Sequence, residues 1–189
     1  SITGVELDMG SNDREFWMWV KRNRPPAVYF CRHEEFHTSA VREVIPIEPT
    51  WIAEALGVVY FDPRGRHDGP YPRGEGEVEV RTKIPTPEGE VTKVTVLHSA
   101  HGWVLEQHMF GATGKRDASA VASHHRYDAG TGVTLPRHVE VDLPTIEMSF
   151  TLEVSDYIVN SLTGDPEMLW TRPDRTGAPP VDLGRIARD

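Results

Sequence analysis

The stretch Glu77-Val78-Glu79-Val80-Arg81-Thr82-Lys83-Ile84 alternates charged and uncharged residues at every position. Neighbouring side chains of a β-strand point to opposite faces of the sheet, so the alternation predicts a strand with one wet face and one packed face. Turn signals follow it at a spacing of about a dozen residues. They stand at Pro87-Glu88-Gly89, His101-Gly102, Thr113-Gly114 and Ala129-Gly130-Thr131-Gly132. The sequence therefore predicts a meander of antiparallel strands.

Two short helices are predicted ahead of the meander. Asn12 followed by Glu15 has the spacing of a capping box, which predicts a helix through Phe16–Val20. A second helix is predicted from Thr50, as N-cap, to the C′ residue Gly57. The other predictions are a loop over 62–76 and strands over 5–9, 27–31, 91–98, 103–110, 115–127, 133–143 and 148–154.

Composition narrows the classes of function. The 189 residues carry 20 Lys plus Arg against 29 Asp plus Glu, a net charge of −9, which disfavours a nucleic-acid partner. No run approaches the roughly 18 apolar residues of a membrane-spanning helix. A single cysteine, Cys31, can form no internal disulfide. Because Cys31 lies in an apolar run, we expect an inert core thiol and not a nucleophile.

His33-Glu34-Glu35-Phe36-His37 matches the H-E-x-x-H pattern of zinc peptidases. On a helix, that spacing makes His33 and His37 zinc ligands and Glu34 the general base for a metal-bound water. The segment directly follows an apolar, strand-like run, however, and such a site needs a helix of several turns. A zinc-dependent hydrolase is therefore kept as the alternative function.

Other signs of chemistry are weak. His98, His108 and His138 lie inside predicted strands, where side chains from neighbouring strands can converge on a metal, but no fixed spacing links them. There is no G-x-S-x-G nucleophile motif and no glycine-rich phosphate loop.

Large apolar side chains suggest a binding role. The predicted helices and the meander together carry Phe16, Trp17, Trp19, Trp51, Ile52 and Trp103. Such residues most often form the core. Beside a large sheet they can also line an apolar cavity, and this set is the predicted ligand-lining site.

The order of these features resembles the LolA/LolB-like lipoprotein-localisation superfamily, in particular uncharacterised lipoprotein-like members from bacterial envelopes. The features that carry the resemblance are Asp8-Met9-Gly10-Ser11-Asn12, Phe16-Trp17, the Val28-Tyr29-Phe30 strand, Ile47-x-Pro49, Leu56-Gly57, Leu135-Pro136 and a closing strand that ends at Asn160. The resemblance implies a mainly β (α+β) fold: a large curved antiparallel sheet, a half-barrel, with two short helices on its concave side. It also implies an apolar cavity for acyl chains, with no enzymatic activity and no cofactor.

Together these expectations describe one curved-sheet domain over 1–162, followed by an extended Pro/Gly-rich tail over 163–189. The family's leading helix and strands have no counterpart before Val5, so we expect the domain to lack its N-terminal part. The predicted function is that of a non-enzymatic protein of the bacterial periplasm or outer-membrane periphery that binds an acyl chain or a lipidated partner. Outer-membrane association would require a segment outside this sequence. A structural or interaction domain without a ligand is the second alternative.

Overall fold

The computed structural model describes residues 7–21, 24–36, 41, 47, 49–86, 89–159, 161, 165, 168 and 170–185. Of the described residues, 53% lie in strands and 12% in helices, so this part of the chain is mostly β. It forms two compact units, one from residues 1–49 and 162–189 and the other from residues 50–161. Residues 1–49 therefore share a unit with the C-terminal segment, whereas the sequence predicts a single domain over 1–162.

The elements of the described residues follow one another in this order. They are β1 (Leu7–Ser11), β2 (Glu15–Val20), β3 (Val28–Arg32), α1 (His33–Phe36), α2 (Pro49–Ala55), β4 (Arg66–Gly74), β5 (Glu77–Thr86), β6 (Gly89–His98), β7 (Val104–Phe110), β8 (Arg116–Ser123), β9 (Arg126–Asp128), β10 (Val133–Leu135), β11 (His138–Leu143), the 3₁₀ helix η1 (Pro144–Ile146), β12 (Met148–Glu153), β13 (Pro180–Asp182) and the 3₁₀ helix η2 (Leu183–Arg185).

The first unit contains a four-stranded sheet with the order β1-β2-β3-β13. The helix predicted over 16–20 is wrong, since these residues lie in strand β2. The Asn12 side chain does accept hydrogen bonds from the backbone N–H groups of Arg14 and Glu15, both at 2.9 Å. Asparagine satisfies such groups equally well in a tight turn, and here the turn joins the antiparallel strands β1 and β2.

The C-terminal segment completes this first unit. Strand β13 pairs in parallel with β3, and Ala178 is buried against Trp17 and Val28. The guanidinium of Arg172 lies 3.6 Å from the centre of the Phe30 ring. The sequence predicts an extended tail from residue 163, and the structure gives its residues 170–185 defined contacts with β2 and β3.

The second unit contains the predicted meander as a seven-stranded sheet with the order β12-β11-β8-β7-β6-β5-β4. Every neighbouring pair is antiparallel, which confirms the large antiparallel sheet. The sheet is open, with β12 and β4 as its edges. Two predicted runs are each divided, 115–127 into β8 and β9 and 133–143 into β10 and β11. Strands β9 and β10 pair with each other in a separate two-stranded sheet.

The loop predicted over 62–76 is wrong over most of its length, because β4 occupies Arg66–Gly74. Pro70 and Pro72 lie within this strand and have no N–H to donate. An edge strand tolerates proline, because only one of its two sides must form hydrogen bonds with a neighbour. The pairing of β4 with β5 shifts register between Asp68 and Tyr71, where the chain is irregular.

Helix α2 confirms the second predicted helix, although it begins one residue earlier, at Pro49. Proline suits the first turn of a helix, where its missing N–H would have no partner in any case. The helix ends as predicted. Gly57 has a φ of +97° and donates its N–H to the carbonyl of Glu54 at 2.9 Å.

The seven-stranded sheet has one apolar and one polar face, as the cross-strand register shows. The apolar face consists of Val78, Val80, Thr82, Ile84, Val91, Lys93, Thr95, Leu97, Gln107, Met109, Ala118, Ala120, Ala122, Val139, Val141, Leu143, Met148, Phe150 and Leu152. On the same register, the opposite face carries most of the charged side chains, and we call it the polar face although it also holds Val94, Val96, Phe110 and Val121. Its polar residues are Glu79, Arg81, Lys83, Thr92, Glu106, His108, Ser119, Glu140 and Asp142. Lys93 bonds Glu54 of α2, which places that helix on the apolar side.

Candidate functional site

The apolar face of the seven-stranded sheet is buried at its centre and partly exposed toward both edges. Its central side chains, such as Ala118, Ala120 and Val139, are buried. Toward the β4 edge, Val78, Val80 and Ile84 of β5 are only half-buried. At the opposite edge Phe150 and Leu152 of β12 are half-buried, and Met148 is 43% exposed. The flanks of this face therefore offer apolar surface that the unit's own side chains do not fully cover.

The predicted ligand-lining residues that lie in β2 do not all share one face of the sheet. Phe16 and Trp17 are consecutive strand residues and so point to opposite faces of the four-stranded sheet. Phe16 is buried with Cys31, Phe36, Val41 and Leu183. Trp17 belongs to a separate cluster with Val28 and Ala178, to which Trp19 and Phe30 add half-buried rings. Both Phe16 and Trp17 are core side chains, and Cys31 is the buried thiol that was predicted.

The remaining predicted lining residues lie in the second unit. Trp51 of α2 is 4% exposed, and Ile52 beside it is half-buried. Trp103 immediately precedes β7 and lies in a cluster of imidazoles. His101 and His125 stack on it, with ring centres 4.5 and 5.2 Å from the Trp103 ring and interplanar angles of 15° and 11°.

The imidazole cluster around Trp103 borders a cavity of about 280 Å³, which Gly57, Val133 and Pro136 also line. Burial lowers the pKa of His125, an effect that its hydrogen bond to the Val104 carbonyl at 2.9 Å opposes. The nearby charge of His98 lowers the pKa further. His125 therefore favours its neutral form. The stacking was not predicted, because it depends on a turn bringing His125 back to Trp103.

The H-E-x-x-H segment has only part of the setting that a zinc peptidase needs. Helix α1 contains His33 and Glu34 but is only four residues long, and His37 lies outside the described residues. The Nε2 atom of His33 lies 2.9 Å from the carbonyl of Asn12 and 3.2 Å from the hydroxyl of Ser11. Within the described parts of the chain, no group of three His, Cys, Asp or Glu side chains is placed to hold a metal ion.

The polar face of the sheet forms an open groove of about 1070 Å³, which we call the polar groove. Its lining includes Arg73, Glu79, Arg81, Glu106, His108 and Ser119. Arg73 pairs with Glu106 at 2.6 Å, and Arg81 pairs with Glu79 at 2.6 Å. Burial by itself would raise the pKa of Glu106, but hydrogen bonds from His108 and Arg73 lower it overall. Glu106 is therefore held as a carboxylate.

His138 of β11 lies on the same face of the sheet, opposite Ser123 of β8. Its Nε2 lies 3.1 Å from a carboxylate oxygen of Glu140, and its Nδ1 lies 2.6 Å from one of Glu153. These two hydrogen bonds raise the pKa of His138. Carboxylates only accept hydrogen bonds, so the arrangement suits an imidazolium that donates from both nitrogens.

No family model matches this chain, and the comparisons with curated proteins and with solved structures also found no match. Among the residues that the structure describes, no helix is long and apolar enough to cross a membrane.

Proposed function

We propose that this protein binds an acyl chain or a lipidated partner on the apolar face of its seven-stranded sheet. One observation carries the proposal: the sheet is amphipathic, and its apolar face is incompletely covered at both flanks. A polar partner would gain nothing by covering this apolar surface, whereas a hydrocarbon chain would bury it. Each buried methylene contributes about 0.8 kcal/mol, so even a half-length acyl chain would supply several kcal/mol.

In this proposal the residues that line the ligand site are not the buried tryptophans. Phe16, Trp17 and Trp51 are packed in cores, so the ligand would contact Val78, Val80 and Ile84 on one flank or Phe150 and Leu152 on the other. Helix α2, fixed through the Lys93–Glu54 pair, is the element that would border the chain. Curvature of the sheet into a half-barrel, with helices on its concave side, belongs to this proposal, as does a place in the bacterial periplasm or outer-membrane periphery. The resemblance to the LolA/LolB-like superfamily supports both.

Titration with a dansylated fatty acid tests this function, with palmitate as the unlabelled competitor. The proposal predicts saturable dansyl fluorescence that palmitate reverses. Replacing Val78 and Val80 together by threonine keeps shape and β-propensity but adds two hydroxyl groups to the site. Since burying an unpaired hydroxyl costs about 1–3 kcal/mol, the two added hydroxyls should weaken binding at the β5 flank by at least about tenfold.

The matched control is Val121→Thr, the same change on the polar face, where Val121 is 42% exposed. It should bind like the wild type. Absence of a saturable signal from folded protein would contradict the proposal, as would equal weakening by both changes. Thermal melts of each variant establish that the fold is retained.

A second candidate is an interaction domain without a small-molecule ligand. The burial of Trp17 and Trp51, each 4% exposed, favours it, because both rings already fill core positions. A negative titration with intact protein would favour this candidate over acyl binding. The zinc-hydrolase alternative stays a prediction, and elemental analysis of the wild type against His37→Ala tests it.

A further inference from the structure

The polar groove contains a continuous hydrogen-bonded chain of four side chains. The Arg73 guanidinium donates to Oε2 of Glu106 at 2.6 Å, and the same oxygen lies 2.9 Å from Nε2 of His108. Nδ1 of His108 lies 3.0 Å from the hydroxyl oxygen of Ser119. Strand geometry brings the groups together. His108 and Ser119 are directly opposite across the β7–β8 pair, and Glu106 shares the face of His108 two residues earlier.

The chemistry of Glu106 determines which atom donates the proton in each of these hydrogen bonds. An ionised carboxylate can only accept, so Nε2 of His108 must carry the hydrogen of the neutral ring. Nδ1 then has the free lone pair, and the Ser119 hydroxyl donates to it. The tautomer is thus assigned from the hydrogen-bond partners. This is the order of nucleophile, base and orienting carboxylate that activates serine in hydrolases, although the two imidazole nitrogens have exchanged roles.

The surroundings of Ser119 suit an anionic substrate. Arg81, Lys83, Lys115 and Arg116 also line the groove. Arg116 lies 3.6 Å from Asp142, the residue directly opposite Ser119 on β11, so the guanidinium near the serine is paired with a carboxylate. The groove lining as a whole still carries five cationic side chains against the two carboxylates of Glu79 and Glu106. Ser119 itself is 7% exposed and lies on β8, an interior strand of the sheet. Positive charge beside a buried nucleophile favours the negative charge that develops when an acyl group is attacked.

We propose that Ser119 is the nucleophile of a hydrolase site that cleaves carboxylic esters of anionic molecules, with His108 as general base. The Ser119 oxygen attacks the ester carbonyl carbon while its proton passes to Nδ1 of His108. The tetrahedral intermediate expels the alcohol, which takes that proton as the C–O bond breaks. A water molecule then attacks the acyl-serine, giving its proton to His108, and the carboxylic acid leaves as the proton returns to Ser119. Glu106 and Arg73 are positioning residues. The site lies on the opposite face of the sheet from the proposed acyl site and is independent of it.

Labelling with a fluorophosphonate, which a reactive serine attacks with loss of fluoride, tests the nucleophile in the wild-type chain. Peptide mapping by mass spectrometry should place the adduct on Ser119. Ser119→Ala should abolish labelling, and His108→Gln should slow it about 100-fold or more. The matched control is Ser149→Ala, since Ser149 lies on the same sheet face opposite Asp142 and is exposed. That variant should label at the wild-type rate.

Hydrolysis of p-nitrophenyl esters tests the substrate class and the positioning roles. The mono-ester of glutaric acid should be cleaved about tenfold faster, in kcat/KM, than the neutral butyrate ester. Glu106→Gln should lower kcat with KM unchanged, and Glu106→Asp should restore part of kcat, which a merely structural role would not produce. Absence of an adduct on wild-type Ser119, or an adduct that persists in Ser119→Ala, would overturn the proposal. Equal cleavage of the two esters would overturn the anionic substrate class.

Discussion

The ammonium group of Lys93 bonds both carboxylate oxygens of Glu54 at 2.8 Å, and this ion pair fastens α2 to the apolar face of the seven-stranded sheet. The two side chains are 12% and 19% exposed, so water screens the pair only in part. A largely buried lysine would be costly without such a partner. The pair therefore fixes the position of the helix that borders the proposed acyl site.

Glu54→Gln should lower the free energy of unfolding by about 1–3 kcal/mol, because it leaves the largely buried Lys93 ammonium without its counter-charge. Urea unfolding followed by far-UV circular dichroism measures the change. The double variant Glu54→Gln, Lys93→Met should recover most of the loss, since no charge is then left unpaired. A double variant no more stable than Glu54→Gln alone would show that the pair does not act as described.

Gln107 and Thr95 face each other across β6 and β7, and both are fully buried. Within the described part of the chain, neither the Gln107 amide nor the Thr95 hydroxyl has a hydrogen-bond partner. Gln107→Leu and Thr95→Val should each leave stability unchanged or raise it by up to about 1–3 kcal/mol, because an unsatisfied buried polar group is removed. Chemical unfolding checks both. Marked destabilisation by either change would mean that the polar group is satisfied in solution.

Gly10 lies directly opposite Trp17 in the β1–β2 pair. A Cβ atom at this position would overlap the indole ring of Trp17, which is itself buried against Val28 and Ala178. Gly10→Ala should therefore destabilise the first unit by about 1–3 kcal/mol through overpacking. Near-UV circular dichroism and thermal melting measure the effect. Gly102→Ala is a surface comparison because no atom lies within 4 Å of its Cβ position, although its φ of +68° adds a strain of its own.

His138 should make stability depend on pH in a definite direction. Its pKa is raised in the folded protein, so its contribution is fully present below the unfolded value of about 6.5 and is lost as pH rises through the folded value. The difference in unfolding free energy between the wild type and His138→Gln should therefore be larger at acid than at alkaline pH. The dependence should disappear when Glu140 and Glu153 are both replaced by glutamine. A difference that grows with pH would contradict the imidazolium assignment.

Much of the sheet could be predicted because strand alternation records burial directly. The charged and uncharged residues of 77–84 occupy the two faces of β5 as their period requires, and recurrent turn signals locate the neighbouring strands. Helix α2 was also predictable, since Gly57 supplies the conformation that ends it. Local sequence signals predicted the wrong element where one side chain can make the same hydrogen bonds in two structures. Asn12 caps a helix and a tight turn with the same hydrogen bonds, and only pairing with β1 and β3 makes 15–20 a strand.

The hydrogen-bonded groups of the polar groove could not be read from the sequence, because cross-strand register assembles them. His108 and Ser119 are eleven residues apart, and nothing in their spacing shows that they meet. β4 was missed since its prolines suggest a loop unless the strand is known to be at an edge. The predicted aromatic set mixed residues of opposite sheet faces for the same reason. A β-strand fixes which residues share a face, but the fold decides which face is covered.

Photo-crosslinking with a diazirine-bearing palmitate tests the central claim most directly, because the adduct marks the residues that touch the chain. Peptide mapping should place adducts on the apolar-face residues of β5, Val78, Val80 and Ile84, or on Phe150 and Leu152 of β12, and excess palmitate should suppress them. Adducts confined to the polar groove, or spread over the surface and insensitive to palmitate, would contradict acyl binding on this face.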